Sequence, residues 1–168
     1  MSYTVGIDTG VSGAWALLRT DVQPPKLVSV HDIPVRPAFV GRGQEVNDEE
    51  LALQMRPLRL MGIQLVVIEW SWARSGQSIG AMFNFGVTHG ISLSTVRASV
   101  PTDARVQRVI PVIWKSAMGL NADKQWSIQV ASNMFPEHEQ TFDKHDGRAE
   151  AALLAVYAHR LVEAQRMA

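Results

Sequence analysis

Val66-Val67-Ile68-Glu69-Trp70 is a short run of apolar, largely β-branched residues that ends in an acidic and an aromatic residue. Leu65 extends the run at its start, and Gly62 before it is a residue type that often ends a helix. An uninterrupted apolar run of this length is typical of a central strand that is buried on both faces. The stretch therefore predicts a buried strand that delivers the Glu69 carboxylate to the edge of a sheet.

Two other segments place acidic residues in comparable settings. Val5-Gly6-Ile7-Asp8, near the start of the chain, is a strand pattern that also ends in a carboxylate. Asp146 and Glu150 lie one turn apart at the start of a predicted helix, on the side that carries its apolar stripe. We expect the fold to bring these three places together around divalent metal ions, although their spacing alone does not require it.

The composition is that of an ordinary globular protein, with 46% apolar and 19% charged residues, and we expect one domain over residues 1–168. No apolar run approaches the roughly 20 residues that span a membrane, and the N-terminus shows no signal-peptide pattern. The absence of cysteine excludes disulfides and zinc–thiolate sites, and it fits a reducing, cytoplasmic location. The 16 basic and 16 acidic residues balance, so any nucleic-acid binding must use local patches.

Alternating patterns predict strands over residues 3–8, 14–19 and 26–33, and the short turns between them favour an antiparallel meander. Residues 34–46 contain prolines, glycines and arginines and are expected to form a loop. A fifth strand is predicted over residues 106–110. Because helices separate the later strands, we predict an α/β domain with a five-stranded mixed sheet, in which parallel strands join the meander through helical crossovers.

The first two predicted helices flank the Glu69 strand. Asn47 is expected to cap one of them, with Glu50 completing a capping box, and Pro57 is expected to break it. The second is predicted from Ser78 to about Ser94. Its apolar face contains Ile79, Met82, Phe83 and Val87, and its glycines at positions 80, 86 and 90 predict close packing against another element.

Three more helices are predicted in the C-terminal part. Pro111 is well placed in the first turn of a short helix that carries Trp114 and Lys115. Asn121 is a candidate cap for the next helix. The last helix is expected to run from near Asp143 to about residue 165.

Gathered carboxylates repel one another, and Mg²⁺ relieves that repulsion because it prefers a few carboxylate ligands and keeps sites for phosphate oxygens. Two such ions can stabilise both the attacking and the leaving oxygen of a phosphodiester. Asp8, Glu69, Asp146 and Glu150 are residue types that suit this arrangement.

Almost the whole chain resembles the RuvC-type Holliday junction resolvases of the ribonuclease-H-like and retroviral-integrase superfamily. The similar segments, in order, are Gly6-Ile7-Asp8-Thr9-Gly10 with Ser12-Gly13; Val66-Val67-Ile68-Glu69 with Trp72; the glycine-spaced helix after Ser78; Ile110-Pro111-Val112-Ile113-Trp114-Lys115 with Gly119 and Ala122-Asp123-Lys124; and His145-Asp146-Gly147-Arg148-Ala149-Glu150-Ala151-Ala152-Leu153-Leu154. Each segment alone is moderately specific, whereas five in the same order are a strong indication of a ribonuclease-H-like fold.

The resemblance implies a role for several of these residues. Asp8 and Glu69 match the first two metal-binding acids of the family, and Glu150 matches the last. The family's final helix usually has two acids three residues apart, but Gly147 stands at the first of those positions, so we take Asp146 as its substitute and keep Asp143 in reserve.

Lys115 and Lys124 match basic residues near the scissile phosphate. Trp72 or Trp70 matches an aromatic residue that stacks on bases at the junction, and Arg74 between them and the next helix is a further DNA-binding candidate.

The resemblance also implies the reaction. We expect Mg²⁺-dependent hydrolysis of DNA with two ions per site, Mn²⁺ as a substitute, and products with a 5′-phosphate and a 3′-hydroxyl. A homodimer would nick two opposed strands of a four-way junction, since a two-fold protein suits a two-fold substrate.

Three other functions remain open at this point. Residues 6–10 also resemble the phosphate loop of the actin and sugar-kinase superfamily, but those proteins close two such domains around a nucleotide, so we expect no nucleotide cofactor. A less selective nuclease for forked or flapped DNA, or for RNA, would use the same acids. A junction-binding module with an inactive site is the third alternative, and the unusual spacing in the last helix is its best support.

Overall fold

The computed structural model describes residues 1–39, 43–72, 76–143 and 145–168. The strands are β1 (Tyr3–Asp8), β2 (Ala14–Arg19), β3 (Lys26–Asp32), β4 (Val35–Pro37), β5 (Gln44–Val46), β6 (Ile63–Glu69) and β7 (Arg105–Val109). The helices are α1 (Asp48–Met55), α2 (Ile79–Ser99), α3 (Pro111–Ala117), α4 (Lys124–Met134), α5 (Glu139–Phe142) and α6 (Asp146–Met167). Short 3-10 turns cover Arg56–Leu60 and Pro136–His138.

The main sheet has five strands in the order β3-β2-β1-β6-β7. Neighbouring strands run antiparallel from β3 to β1 and parallel from β1 through β6 to β7. The predicted α/β class, with a mixed sheet flanked by helices, is therefore confirmed.

The apolar run of β6 is uninterrupted because both of its faces are covered. Leu65 and Val67 belong to a core cluster with α3, α4 and α6, whereas Val66 and Ile68 belong to a second cluster with α1 and α2. All four side chains are fully or almost fully buried. The strand thus separates two cores, as its composition predicts.

The region predicted as a loop over residues 34–46 contains a short hairpin instead. β4 and β5 pair antiparallel, with Arg36 opposite Glu45. An ion pair between these two side chains, 2.9 Å from Nε to Oε1, reinforces the pairing. Two strands of three residues, one of which contains proline, carry too little pattern to be distinguished from a loop in the sequence.

The predicted start of the first helix is confirmed, and so is its break. The Asn47 side chain accepts a hydrogen bond from the Glu50 amide at 3.3 Å. α1 ends at Met55, and the 3-10 turn containing Pro57 follows.

Three predicted boundaries were wrong. α2 continues to Ser99, five residues beyond the expected end, and stops where the residue before Pro101 must be extended. Asp123 caps α4, because the Asn121 side chain instead accepts from the Asp123 amide at 2.7 Å. The last helix begins at Asp146, because Glu139–Phe142 form the separate helix α5, in which Phe142 is buried, and Asp143 ends that helix with a non-helical backbone.

The apolar face of α2 is largely exposed on the described part of the chain. Ile79 is 83% exposed and Phe83 is 70% exposed, and Met82 and Val87 are also exposed. The expected close packing at Gly80, Gly86 and Gly90 is absent within the described residues, because a Cβ atom at each would meet nothing within 4 Å.

Among the described residues, no helix combines the length and the apolar content that crossing a membrane requires.

α6 lies directly against the main chain of β1. A Cβ atom at Gly6 would overlap main-chain atoms of Ala151 and Ala155. The Thr4 hydroxyl donates a hydrogen bond to the Ala155 carbonyl at 2.8 Å, and both groups are buried. Only glycine at position 6 permits this approach, which places the first turns of α6 at the end of β1.

We predict that Gly6→Ala lowers the free energy of unfolding by about 3 kcal/mol or more, because the overlap involves main-chain atoms that cannot rotate away. Gly80→Ala is the matched control, since its Cβ has open space and alanine favours the helix by up to about 1 kcal/mol. Urea unfolding followed by circular dichroism measures both variants. Equal stability of the two variants would contradict the close packing of α6 on β1.

Candidate metal centre

Three carboxylates from three separate segments meet at one edge of the sheet. Asp8 and Glu69 are the last residues of the neighbouring parallel strands β1 and β6, so their side chains emerge at the same edge. Glu150 comes from the second turn of α6, which crosses β1 at Gly6. One carboxylate oxygen of each residue lies within 4.8 Å of the other two.

This convergence changes the ionisation of Asp8. Burial raises the pKa of Asp8 well above its ordinary value, and the neighbouring charges of Glu69, Glu150 and Asp146 raise it further. The ammonium group of Lys115 opposes these effects without cancelling them. A bound cation would favour the ionised form of Asp8, because a positive charge beside a carboxylate lowers the pKa of that carboxylate.

Buried donors hold the Glu150 carboxylate. Glu150 is 6% exposed, and its Oε1 atom accepts from Lys115 Nζ at 2.6 Å and from Ser127 Oγ at 3.3 Å. Ser127 is fully buried on α4, and Lys115 lies on α3. Two helices therefore fix the position of this acid.

Glu69 is held by α3 as well. The indole Nε1 of Trp114 donates to Glu69 Oε2 at 2.7 Å, and the Trp114 side chain is fully buried. The main-chain carbonyl of Glu69 lies 3.2 Å from the Thr9 hydroxyl, which is itself 2.9 Å from Nε2 of His89 on α2. These contacts tie the ends of both acid-bearing strands to the helices on either side.

Asp146 lies at the rim of the site. Its Oδ2 atom pairs with Lys124 Nζ at 2.5 Å, and it is not among the three acids whose oxygens converge. Its charge still contributes to the raised pKa of Asp8. Asp143, the reserve candidate, is exposed at the end of α5. Metal binding by either residue stays a prediction.

Gly147 packs tightly against the turn that follows β1. A Cβ atom there would overlap the carbonyl oxygen of Ser12 and lie 3.2 Å from Asp8 Oδ2. This backbone arrangement leaves no room for an acidic side chain at position 147. The use of Asp146 in place of an acid at position 147 stays a prediction.

The two predicted lysines occupy different environments. The Lys115 side chain is 15% exposed and bound to Glu150, whereas that of Lys124 is 68% exposed and bound to Asp146. The hydrogen bond to Asp146 raises the pKa of Lys124. Lys124 is therefore the more accessible of the two cations to an incoming anion.

The two predicted stacking residues also differ. Trp70 is half-buried. Its ring lies nearly perpendicular to that of His89, with the ring centroids 4.9 Å apart, and the Arg108 guanidinium lies 4.6 Å from the Trp70 ring centroid. Trp72 is 68% exposed and is the better candidate for contact with a base. Arg74 lies outside the described residues.

Sequence reasoning assigned no role to Trp114 or Ser127, although both hold a candidate metal ligand. Trp114 was recognisable only as a large apolar residue beside Lys115. Ser127 lies three residues after Lys124, on a helix whose orientation the sequence does not reveal. The sequence feature that could have indicated these roles is a hydrogen-bond donor close to a predicted phosphate-binding lysine.

The donor set fits a hard divalent cation. The three converging ligands are all carboxylates, which Mg²⁺ and Mn²⁺ accept, and two of them are oriented by donors on one oxygen. Among the described residues, the charge of Lys115 does not offset the burial and the neighbouring acids that raise the pKa of Asp8. The residues present therefore fit a magnesium-type centre.

No protein-family model matches the sequence, and no curated protein matches it either. Two solved structures of Thermus thermophilus RuvC have the same fold. The one in complex with a Holliday junction substrate gives a TM-score of 0.67 at 14% identity, covering 97% of this chain and 96% of that one. The other gives a TM-score of 0.61 at 14% identity, covering 95% and 96% of the two chains. The chain thus has the ribonuclease-H-like fold of RuvC along nearly its whole length.

We predict that Asp8→Asn stabilises the metal-free protein near pH 7 by about 0.5–2 kcal/mol, because it removes one of the repelling charges. The sign follows from the raised pKa of Asp8: the folded state retains a proton that the unfolded state loses above about pH 4. The stability of the wild-type protein therefore falls as the pH rises from about 4 towards the folded pKa.

Urea unfolding at pH 4 and pH 7 in EDTA measures this difference. The advantage of Asp8→Asn should be present at pH 7 and absent at pH 4. Saturating Mg²⁺ should reverse it, since the variant loses a ligand. A variant that is less stable than the wild type at pH 7 in EDTA would contradict the electrostatic account.

Proposed function

We propose that this protein is a metal-dependent endonuclease that resolves four-way DNA junctions by paired nicks. The observation that carries the proposal is the convergence of the Asp8, Glu69 and Glu150 carboxylates within 4.8 Å, on a fold shared with RuvC. The junction in one of the two RuvC structures supports branched DNA as the substrate class. The proposed cofactor is a pair of Mg²⁺ ions in each site, for which Mn²⁺ would substitute.

Asp8, Glu69 and Glu150 would hold the cofactor, with Asp146 as a further candidate ligand. When bound, the ions would supply an activated water and would stabilise negative charge on the phosphate. The oxygen of water adds to phosphorus and the bond between phosphorus and the 3′ oxygen breaks. The 3′ oxygen then gains a proton, leaving a 3′-hydroxyl and a 5′-phosphate.

The lysines and the exposed tryptophan would position the DNA. Lys124 is exposed enough to contact the scissile phosphate, while Lys115 keeps Glu150 oriented and adds positive charge behind it. Trp72 would stack on an unpaired base, which is worth roughly 1–3 kcal/mol. Because the chain has no net charge, we expect weak binding to plain duplex and strong dependence on salt.

The exposed face of α2 supports a homodimer. Ile79, Phe83 and Val87 form an apolar surface on the described part of the chain, and the glycines beside them leave the helix backbone accessible. Exposed apolar side chains are unfavourable in water, and glycines are unfavourable in an isolated helix. A second copy that packs on this face would bury the apolar side chains. It would also place the two active sites of the dimer on two opposed DNA strands of the junction.

We predict that the protein cuts a labelled four-way junction in Mg²⁺ and not in EDTA, and that Glu69→Gln lowers the rate by more than about 100-fold. The reason is that loss of a direct ligand should exceed the roughly 10–100-fold effect of losing a residue that orients one. Glu49→Gln, which removes an exposed acid on α1, is the matched control and should cut normally.

Linear duplex of the same sequence and forked and flapped DNA are run in parallel. Equal cutting of all branched forms would support the metal-dependent nuclease activity. It would contradict selectivity for four-way junctions and indicate a broader substrate range. Binding of the junction without cutting in any lane, unchanged by Glu69→Gln, would refute the nuclease and leave a binding module.

We predict that the wild-type protein sediments as a dimer at micromolar concentration and that Phe83→Glu is monomeric. A charge on the α2 face would have to be buried without a partner in the dimer, which is costly. Leu60→Glu is the matched control, since Leu60 is 94% exposed near the opposite end of β6 from Glu69.

The cleavage pattern provides a second measurement. Phe83→Glu should nick single strands without pairing the two nicks, whereas Leu60→Glu should behave as the wild type. A dimer that persists in Phe83→Glu would show that the α2 face is not the interface.

A further inference from the structure

Two consecutive residues of α3 contact two carboxylates that come from different elements. Trp114 donates to Glu69 at the end of β6, and Lys115 donates to Glu150 on α6. The distances are 2.7 Å and 2.6 Å. A helix of seven residues thus bridges the strand and the helix that supply two of the three converging acids.

We infer that Trp114 is a positioning residue, whose indole N–H holds the Glu69 carboxylate in the orientation that a divalent cation requires. The inference rests on the proposed metal-dependent function. This role of Trp114 differs from packing in the core, because the role depends on the indole N–H group and not on the volume of the ring.

The burial of Trp114 makes this hydrogen bond significant. The side chain is fully enclosed in the core cluster that contains Leu120, Ala149 and Leu153. A buried N–H without a partner is costly, so the indole needs an acceptor, and the acceptor it meets is a candidate metal ligand. An apolar ring alone could fill the same space without contacting Glu69.

The Glu69 side chain has one more rotatable bond than an aspartate side chain, so more of its motion has to be restrained. A glutamate side chain loses rotamer entropy when it is fixed. A hydrogen bond to a carboxylate is short and strong, and the distance of 2.7 Å between Trp114 Nε1 and Glu69 Oε2 is of this kind. Donors of this type orient metal ligands and set their affinity.

Trp15 provides a control of the same chemistry outside the site. It is 3% exposed, and its Nε1 donates to Gln54 Oε1 at 3.1 Å. It belongs to the second core cluster, together with Leu17 and Leu51. Trp15→Phe and Trp114→Phe therefore remove the same group from equally buried positions, and only the second removes a donor from a candidate ligand.

The test measures Mn²⁺ binding to the free protein by electron paramagnetic resonance. We expect Trp114→Phe to bind Mn²⁺ about 10–100-fold more weakly than the wild type, and Trp15→Phe to bind it as the wild type does. Junction cleavage by Trp114→Phe should recover as the Mg²⁺ concentration is raised, because the loss lies in metal affinity. Urea unfolding of both variants measures the shared cost of the smaller ring.

A second measurement does not require Trp114→Phe to fold. The indole N–H signal of Trp114, assigned in the wild-type protein by triple-resonance NMR, should shift when Mg²⁺ is added and should also differ in Glu69→Gln. An indole signal unaffected by both changes would overturn the inference.

The outcomes separate the inference from the proposed function. If wild-type protein binds Mn²⁺ and cuts the junction while Trp114→Phe binds Mn²⁺ as tightly as Trp15→Phe does, the positioning role is wrong and the function stands. If the wild-type protein neither binds Mn²⁺ nor cuts, the metal chemistry is wrong and the positioning role is overturned with it.

Discussion

The contact between α6 and the main chain of β1 is the constraint on which the site depends. Gly6 and Gly147 have no side chains: a Cβ atom at Gly6 would overlap the Ala151 carbonyl oxygen of α6, and one at Gly147 would overlap the Ser12 carbonyl oxygen in the turn after β1. The helix therefore rests on the strand and on the turn after it, instead of on an intervening layer of side chains. This contact carries Glu150 to the edge where Asp8 ends its strand, so packing in the core determines which acids meet.

The same packing creates an electrostatic cost. Carboxylates forced together in a partly dry site repel one another, and the raised pKa of Asp8 is the visible consequence. Different donors offset this repulsion at two of the acids. Glu150 accepts from the Lys115 ammonium group and the Ser127 hydroxyl, and Glu69 accepts from the Trp114 indole. These donors orient Glu69 and Glu150, and the three carboxylates that converge are ligands that a hard cation prefers.

Much of this arrangement could be predicted because it is encoded locally. The apolar run before Glu69 and the alternation before Asp8 each define a strand and the acid at its end. The contact between Trp114 and Glu69 could not be predicted, since it joins residues 45 apart in sequence and depends on how α3 is oriented. The apolar side of α2 was predicted correctly as a face but not as an exposed one, because periodicity identifies an apolar surface without saying what covers it.

The departure at position 147 shows how backbone packing limits the chemistry. An acid there would collide with Ser12, so the fourth carboxylate of the region comes from Asp146, one residue earlier and nearer to solvent. At that position it meets Lys124, which is the more exposed of the two lysines. In the proposed function, a DNA phosphate and Asp146 would compete for the ammonium group of Lys124. Three acids converge at the sheet edge, whereas Asp146 lies beside them in an ion pair with an exposed lysine, which an incoming anion would disturb.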